Sequence, residues 1–317
     1  MSTTEVTRAE RVMGVLVGQA AGDALGAGYE FTREPPEPGT AVMRKGVLGF
    51  EVGEWTDDTQ QAVIVAQAQA DPERVACGLL AWLAARPRDV GRQTRIVLGS
   101  GCTDPLAVML RSKAWGEHVA SQPRREGMDP GQANGSLMRT GPVALAHLGN
   151  RAQLAQAARE VSDVTHSDPT GYTGDACVIW SLVIESAITR PSFDLFSDLC
   201  AAVQWVPSAE RRVFWLSVIN DAMFGPKPTG RNGSAVGAFK VALWAIRHTG
   251  SFAGAVDMAV SCGHDTDTTA AIAGQLAGAI YGAGAVPEQW RRQLHGMGGF
   301  RCIDLRNLAL ACAGMDE

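Results

Sequence analysis

Lysine is scarce in this chain. Only four of its 28 basic residues are Lys (45, 113, 227 and 240), and 33 acids outweigh them to a formal charge of −5. That balance argues against a basic nucleic-acid binder of the usual electrostatic kind. The Arg bias, with the high Ala content, is what a GC-rich bacterial genome would give. Charged residues are also few, at 19% against 46% hydrophobic, which excludes a disordered chain. No CxxC occurs and the seven Cys are an odd number. A disulfide framework or a zinc site is therefore not expected, and reduced thiols of the cytoplasm are. Residues Met1 to Glu10 carry no basic segment followed by an apolar one, so no signal peptide is expected. Long apolar runs are missing too. The stretch Ala270 to Pro287 has no charge over 18 residues, near the minimum for a membrane span, but Gln275 and four Gly make it weakly hydrophobic. It reads as a buried core helix, and no membrane partner is expected.

Aromatics make up 6%, and the apolar total rests largely on Ala, Val and Leu, of which Ala and Leu favour helix. Helical periodicity predicts helices over 10–26, 58–71, 72–85, 104–113, 141–148, 151–161, 174–189, 192–203, 235–249, 251–261, 268–281, 287–294 and 302–313. Gly/Pro-rich loops are predicted over 32–53, 86–101, 123–140, 162–173 and 225–234. No strict apolar/polar alternation marks a strand. Neither a linker nor a repeat divides the chain, so residues 1–317 read as one all-α domain. Gly14, Gly18, Gly22 and Gly26 recur every four residues, as do Gly274, Gly278 and Gly282. Positions four apart share a helix face. Each interior Gly costs roughly 0.5–1 kcal/mol relative to Ala, so these ladders imply helices packed closely enough to need them.

Each ladder adjoins acids: Gly22-Asp23-Ala24-Leu25-Gly26 with Glu30 follows the first, and Gly263-His264-Asp265-Thr266-Asp267-Thr268 precedes the second. A further cluster is Trp55-Thr56-Asp57-Asp58-Thr59. Asp and Thr at helix starts are ordinary caps. Crowded carboxylates repel unless a cation lies between them, and hard divalent cations take such oxygen ligands. Capping and metal binding both remain open on spacing alone. Other motifs fail. An EF-hand from Asp265 would need Gly and Glu where Ala270 and Leu276 stand. Asp265-Thr266-Asp267-Thr268-Thr269 spells the DxDxT of aspartate-nucleophile phosphatases, but that chemistry needs a strand end. No GxxxxGK[ST] or GxSxG occurs, and Gly26-Ala27-Gly28-Tyr29-Glu30-Phe31 lacks the third Gly of a dinucleotide fingerprint.

These clusters, together with Asn134-Gly135-Ser136-Leu137-Met138-Arg139 and Thr165-His166-Ser167-Asp168-Pro169, resemble the ADP-ribosylglycohydrolase family, that of dinitrogen reductase-activating glycohydrolase and the ADP-ribosyl-acceptor hydrolases. The motifs stand in family order across residues 14–282. The resemblance implies an all-α orthogonal bundle, a binuclear Mg²⁺ centre (Mn²⁺ in some members), and hydrolysis of the bond joining ADP-ribose to an acceptor. By position it implies Thr56, Asp57, Asp58, Asp265, Asp267 and Thr268 as metal ligands. Glu30, Asp57 and Asp58 become the catalytic carboxylates. Gly99 and Gly101 would meet phosphate, while Asn134, Gly135, Ser136, Met138 and His166 would bind ADP-ribose. Arg139 could instead be a structural partner, and Trp55 reads as packing.

Two departures stand out. Gln132-Ala133 precede Asn134 where some members place an aromatic, so adenine must stack elsewhere or less strongly. His264 stands where many members carry Gly. The expected partner is an ADP-ribosylated protein, with arginine as the leading acceptor. Serine, a nucleic-acid base, free ADP-ribosyl groups and poly(ADP-ribose) remain alternatives, as does a non-catalytic relative.

Overall fold

The computed structural model describes residues 6–99, 101–123 and 128–315. In it the chain runs through α1 (Arg8–Gly26), α2 (Asp57–Gln67), α3 (Pro72–Ala84), α4 (Arg92–Leu98), α5 (Pro105–Ser121), α6 (Gly141–Ala146), α7 (Arg151–His166), α8 (Tyr172–Thr189), α9 (Leu195–Val203), α10 (Ala209–Phe224), α11 (Ala235–Arg247), α12 (Phe252–Ser261), α13 (Thr266–Tyr281), α14 (Glu288–Gln293) and α15 (Cys302–Cys312). A 3₁₀ turn over Asn134–Arg139 precedes α6. Among the described residues there is no strand, only isolated bridges such as Ala133 with Ser234. The fold is all-α.

The glycine ladders make the central contact. A Cβ on Gly14 would overlap the Gly278 carbonyl, one on Gly18 the Gly274 carbonyl, one on Gly22 the Ala270 carbonyl, and one on Gly26 the Thr266 carbonyl. Helices α1 and α13 are thus antiparallel and in backbone contact along four turns. The one exception is Gly282. It lies beyond the ladder at φ +82° and ends α13, donating its N–H to the Gly278 carbonyl at 2.8 Å. Burial covers α1 from Val12 onward and α13 up to Ala279. Around this pair pack α2, α11, α12 and α15, with α8 behind. Helix α8 is buried all round from Thr173 to Ile188, as an apolar helix without a polar face must be. The stretch from Ala270 is therefore core, and no helix among the described residues is long and apolar enough to cross a membrane.

Five elements differ from the sequence expectation. Helix α10 lies in a stretch assigned to neither helix nor loop. Its buried positions Trp215, Val218, Ile219, Ala222 and Met223 keep helical spacing, but exposed Val213, Leu216 and Phe224 blur it. Helix α4 falls inside the loop predicted over 86–101, and the 3₁₀ turn inside that over 123–140. Helix α5 runs on to Ser121, eight residues past its predicted end, and α7 runs on to His166, five residues past its own. All seven cysteines are free thiols.

Candidate active site

Because α1 and α13 are antiparallel, the C-terminal end of one meets the N-terminal end of the other, and both acid clusters arrive at the same place. Helix α2 is brought there by Asp23. This buried carboxylate accepts from the Thr56 N–H (2.9 Å), the Thr59 N–H (3.0 Å) and the Thr59 hydroxyl (2.6 Å). Asp23 therefore satisfies the first turn of α2 from outside that helix. Thr56, at the N-cap position, makes no side-chain cap bond, and neither does Asp265 before α13. N-capping therefore does not account for the acids of these two clusters, although Asp267 Oδ1 accepts the Thr268 N–H at 2.9 Å.

Their side chains face one another instead. Asp58 Oδ2 accepts from the hydroxyls of Thr56 (3.2 Å) and Thr268 (3.4 Å). Its Oδ1 is buried with no hydrogen-bond partner. Asp57 accepts from Gln61 Nε2 (3.1 Å), and Gln61 Oε1 in turn accepts from Arg139 Nη1 (2.8 Å). Asp265 accepts from Asn134 Nδ2 (2.8 Å), and its backbone N–H donates to Asn232 Oδ1 (3.1 Å). Carboxylate oxygens of Glu30, Asp89 and Asp267 lie within 4.8 Å of one another.

Burial and mutual repulsion set the electrostatics. The Glu30 carboxyl is pushed up to about 8, first by burial and then by Asp265, Asp89 and Asp57. Asp57, Asp58 and Asp267 are held well above the usual carboxylate range, again by burial first and then by neighbouring acids. Asp23, softened by its hydrogen bonds, is raised only to about 6. An unpartnered buried oxygen among crowded acids and hydroxyls is costly on its own. It suits a hard divalent cation, which takes six or more oxygens.

These groups floor one wall of a cavity of about 450 Å³. Glu30, Asp57, Asp58, Asp265, Asp267 and Thr268 line it, and so do Asn134, Gly135, Met138 and His166. Thr56 lies behind, against Asp58. Ser136 is buried beneath the cavity wall, accepting from Ser162 Oγ at 2.9 Å. The glycines expected to meet phosphate sit apart from this lining. Gly99 caps α4 at φ +57° against the Arg111 guanidinium, Gly101 follows at φ +76°, and Ser100 between them lies outside the described residues.

His166 ends α7 wholly buried, with Nδ1 2.8 Å from the Thr165 hydroxyl. That hydroxyl accepts from Arg139 Nη2 (2.8 Å), leaving its own proton for Nδ1, so the hydrogen-bond network assigns the ring N–H to Nε2. Burial, then the Arg139 charge, hold the imidazole well below its ordinary value, so it is neutral at pH 7. A Cβ on Gly135 would come 2.9 Å from the ring, which explains a glycine there. Arg139 is fully buried, lowered to about 10 by burial and so still a cation. It is a structural partner, tying Gln61 to Thr165. Trp55 is fully buried packing. His264 is exposed, outside the cavity lining, at φ +62°, a left-handed conformation natural to Gly.

The sequence reading missed Asp89, Asn232, Trp115 and His118. Asp89 is a lone acid in a predicted loop. Arg88 anchors that loop by an ion pair to Glu54 and by stacking 4.1 Å from the Phe50 ring. Asn232, buried, donates to the Gly263 carbonyl (3.0 Å) and so ties its loop to the start of α13. Its only signal was an Asn-Gly dipeptide mirroring Asn134-Gly135. Trp115 and His118 line the cavity from α5, three residues apart on one face.

Known proteins share this architecture. The family model for ADP-ribosylglycohydrolase matches residues 4–316. An ADP-ribosylarginine hydrolase, Tri1, of Pseudomonas putida is 28% identical over 89% of this chain and 73% of its own. The ADP-ribosyl-[dinitrogen reductase] glycohydrolase of Rhodospirillum rubrum is 28% identical over 90% of each. A solved structure described as an ADP-ribosylglycohydrolase-related protein complex superposes with a TM-score of 0.71 at 29% identity, covering 98% of this chain and 99% of that one. With the DxDxT acids at a helix start rather than a strand end, the phosphatase alternative loses its structural basis, and the chain belongs to the ADP-ribosylglycohydrolase family of hydrolases.

Proposed function

We propose that the protein hydrolyses, with divalent cations, the N-glycosidic bond between ADP-ribose and an arginine side chain of a protein. The observation that carries this reading is the Asp58 carboxylate. One oxygen is shared by two threonine hydroxyls, and the other is buried without a partner beside further acids. Thr56, Asp57, Asp58, Asp265, Asp267 and Thr268 would hold two Mg²⁺ (or Mn²⁺), an all-oxygen set suited to such ions. When bound, the ions orient the ribose hydroxyls and lower the pKa of water.

Glu30 is the group that moves the proton. Without cations, burial and then the neighbouring acids Asp265, Asp89 and Asp57 raise its carboxyl to about 8; cations held by Asp57 and Asp265 would offset that repulsion and favour the carboxylate needed as a base. The water oxygen bonds to the anomeric carbon, and the carbon–nitrogen bond to the guanidine breaks. Glu30 receives the water proton and passes it to the leaving nitrogen. Asp57 and Asp58 share in orienting the water, and Asp58 stays fixed through its two threonines. Asn134, Gly135, Met138 and His166 would line the ADP-ribosyl group, with His166 offering its Nε2–H. Asp89, whose carboxylate lies with those of Glu30 and Asp267, adds a further negative oxygen to the site. The name of the Pseudomonas relative, an ADP-ribosylarginine hydrolase, points the same way, and that of the Rhodospirillum relative points to an ADP-ribosylated protein.

The test is incubation with ADP-ribosyl-arginine and ADP-ribosyl-serine peptides in Mg²⁺. Free ADP-ribose should come from the arginine peptide and stop with a chelator. Glu30→Gln should slow it by about a hundredfold or more, the usual scale for a general base. Release indifferent to chelation would remove the cations from the mechanism, and release from the serine peptide alone would move the acceptor.

A further inference from the structure

An ADP-ribosyl group is long, with its reacting carbon at one end and a purine base at the other. The carboxylates that serve the reacting end come from the ends of α1, α2 and α13. Another part of the cavity wall belongs to α4 and α5, and α5 packs on α3, α4 and α7. That wall carries Arg92, Trp115, His118 and Val119. Trp115 and His118, at i and i+3, are neighbours on the helix surface. Their ring centroids are 5.5 Å apart at 41°. Trp115 is half-buried and His118 exposed, so a stacking surface stays open. Arg92 is exposed, and it is the one arginine among the described residues of the lining.

The place of α5 is fixed. Ser112 Oγ accepts from the Ser167 N–H at 3.0 Å, one residue beyond His166. A Cβ on Gly116 would collide with the Ser167 carbonyl. Gln93 donates to Gln132 and to the Thr165 carbonyl, at 3.0 Å for the latter. Ser112, Gly116 and Gln93 thus hold the ring-bearing wall against the turn that carries His166. Gln132-Ala133, ahead of Asn134, offer no aromatic surface, and Gln132 is already engaged with Gln93 and Ser167.

We infer that Trp115 and His118 form the purine platform of the cavity, with Arg92 beside them for the diphosphate. The inference rests on the ADP-ribose reading above and adds the residues that hold the nucleotide end. A base stacked on an aromatic side chain loses roughly 1–3 kcal/mol when that side chain becomes Ala, equivalent to about a fivefold to 150-fold loss of affinity.

The experiment is titration calorimetry of the Mg²⁺-loaded protein with ADP-ribose, together with photolabelling by 8-azido-ADP-ribose, whose reactive group sits on the base. Trp115→Ala should weaken ADP-ribose binding about fivefold or more, raising KM while kcat holds. Trp115→Phe should stay within about threefold, because it keeps a stacking face. The photolabel should fall on the peptide spanning 105–121. Equal affinity for wild type and Trp115→Ala, an equal loss in Trp115→Phe, or a label on another element would overturn the platform. It would leave the hydrolase reading standing. No binding of ADP-ribose by the wild type would overturn both.

Discussion

At the scale of single residues, Asp23 shows how a site is held by a group outside it. Its carboxylate takes three donors from the first turn of α2, which frees the Thr56 hydroxyl to reach Asp58. Asp23→Ala would strand buried N–H groups, and each such loss costs about 1–3 kcal/mol. We expect a stability loss of about 3 kcal/mol in urea denaturation, with weaker cation binding because the start of α2 loosens. Unchanged denaturation midpoints would show that water replaces the carboxylate at no cost. The GDALG motif marked Asp23 by resemblance, but nothing in its spacing said that it serves a helix thirty residues on.

At the scale of elements, the α1–α13 contact was the most legible feature. Glycines four apart in two helices announce a close approach, and backbone meets backbone there. Gly274→Ala would put a methyl group onto the Gly18 carbonyl. No rotamer change relieves a clash with backbone, so the cost should reach about 3 kcal/mol, the upper end for overpacking. Gly250→Ala, where nothing lies within 4 Å, is the control. A Gly274→Ala protein melting at the control temperature would mean that the helices can slide apart freely. Helix α10 was illegible for the opposite reason. Its inward stripe is regular, but the exposed apolar residues between those positions erase the contrast on which periodicity depends.

At the scale of the whole molecule, the buried acids couple folding to cations and protons. Acids raised above their unfolded values bind protons more tightly when folded, so without cations stability must fall as pH rises through those values. His166, held low by burial, acts in the opposite sense, but only below its unfolded value of about 6.5. Above pH 7 the acids therefore decide, with Glu30 titrating at about 8. The Tm of chelator-treated protein should drop between pH 7 and 8.5. Mg²⁺ should restore it, more at 8.5 than at 7, because cations compete with protons for the same oxygens. A Tm that rises over that range, or ignores Mg²⁺, would contradict the acid cluster as the cation site.

The sequence by itself determined the helical class, the glycine contact and the acids of the candidate site, because periodicity and residue type act locally. It also carried the family, through motifs that keep their order along the chain. What only the tertiary structure decided was which neighbours those residues meet. That the paired acids do not cap their helices, that Asp89 joins Glu30 and Asp267, and that Trp115 and His118 line the same cavity as the acids all depend on contacts between segments distant in sequence. Such contacts arise from the packing of whole helices, and no local pattern encodes them.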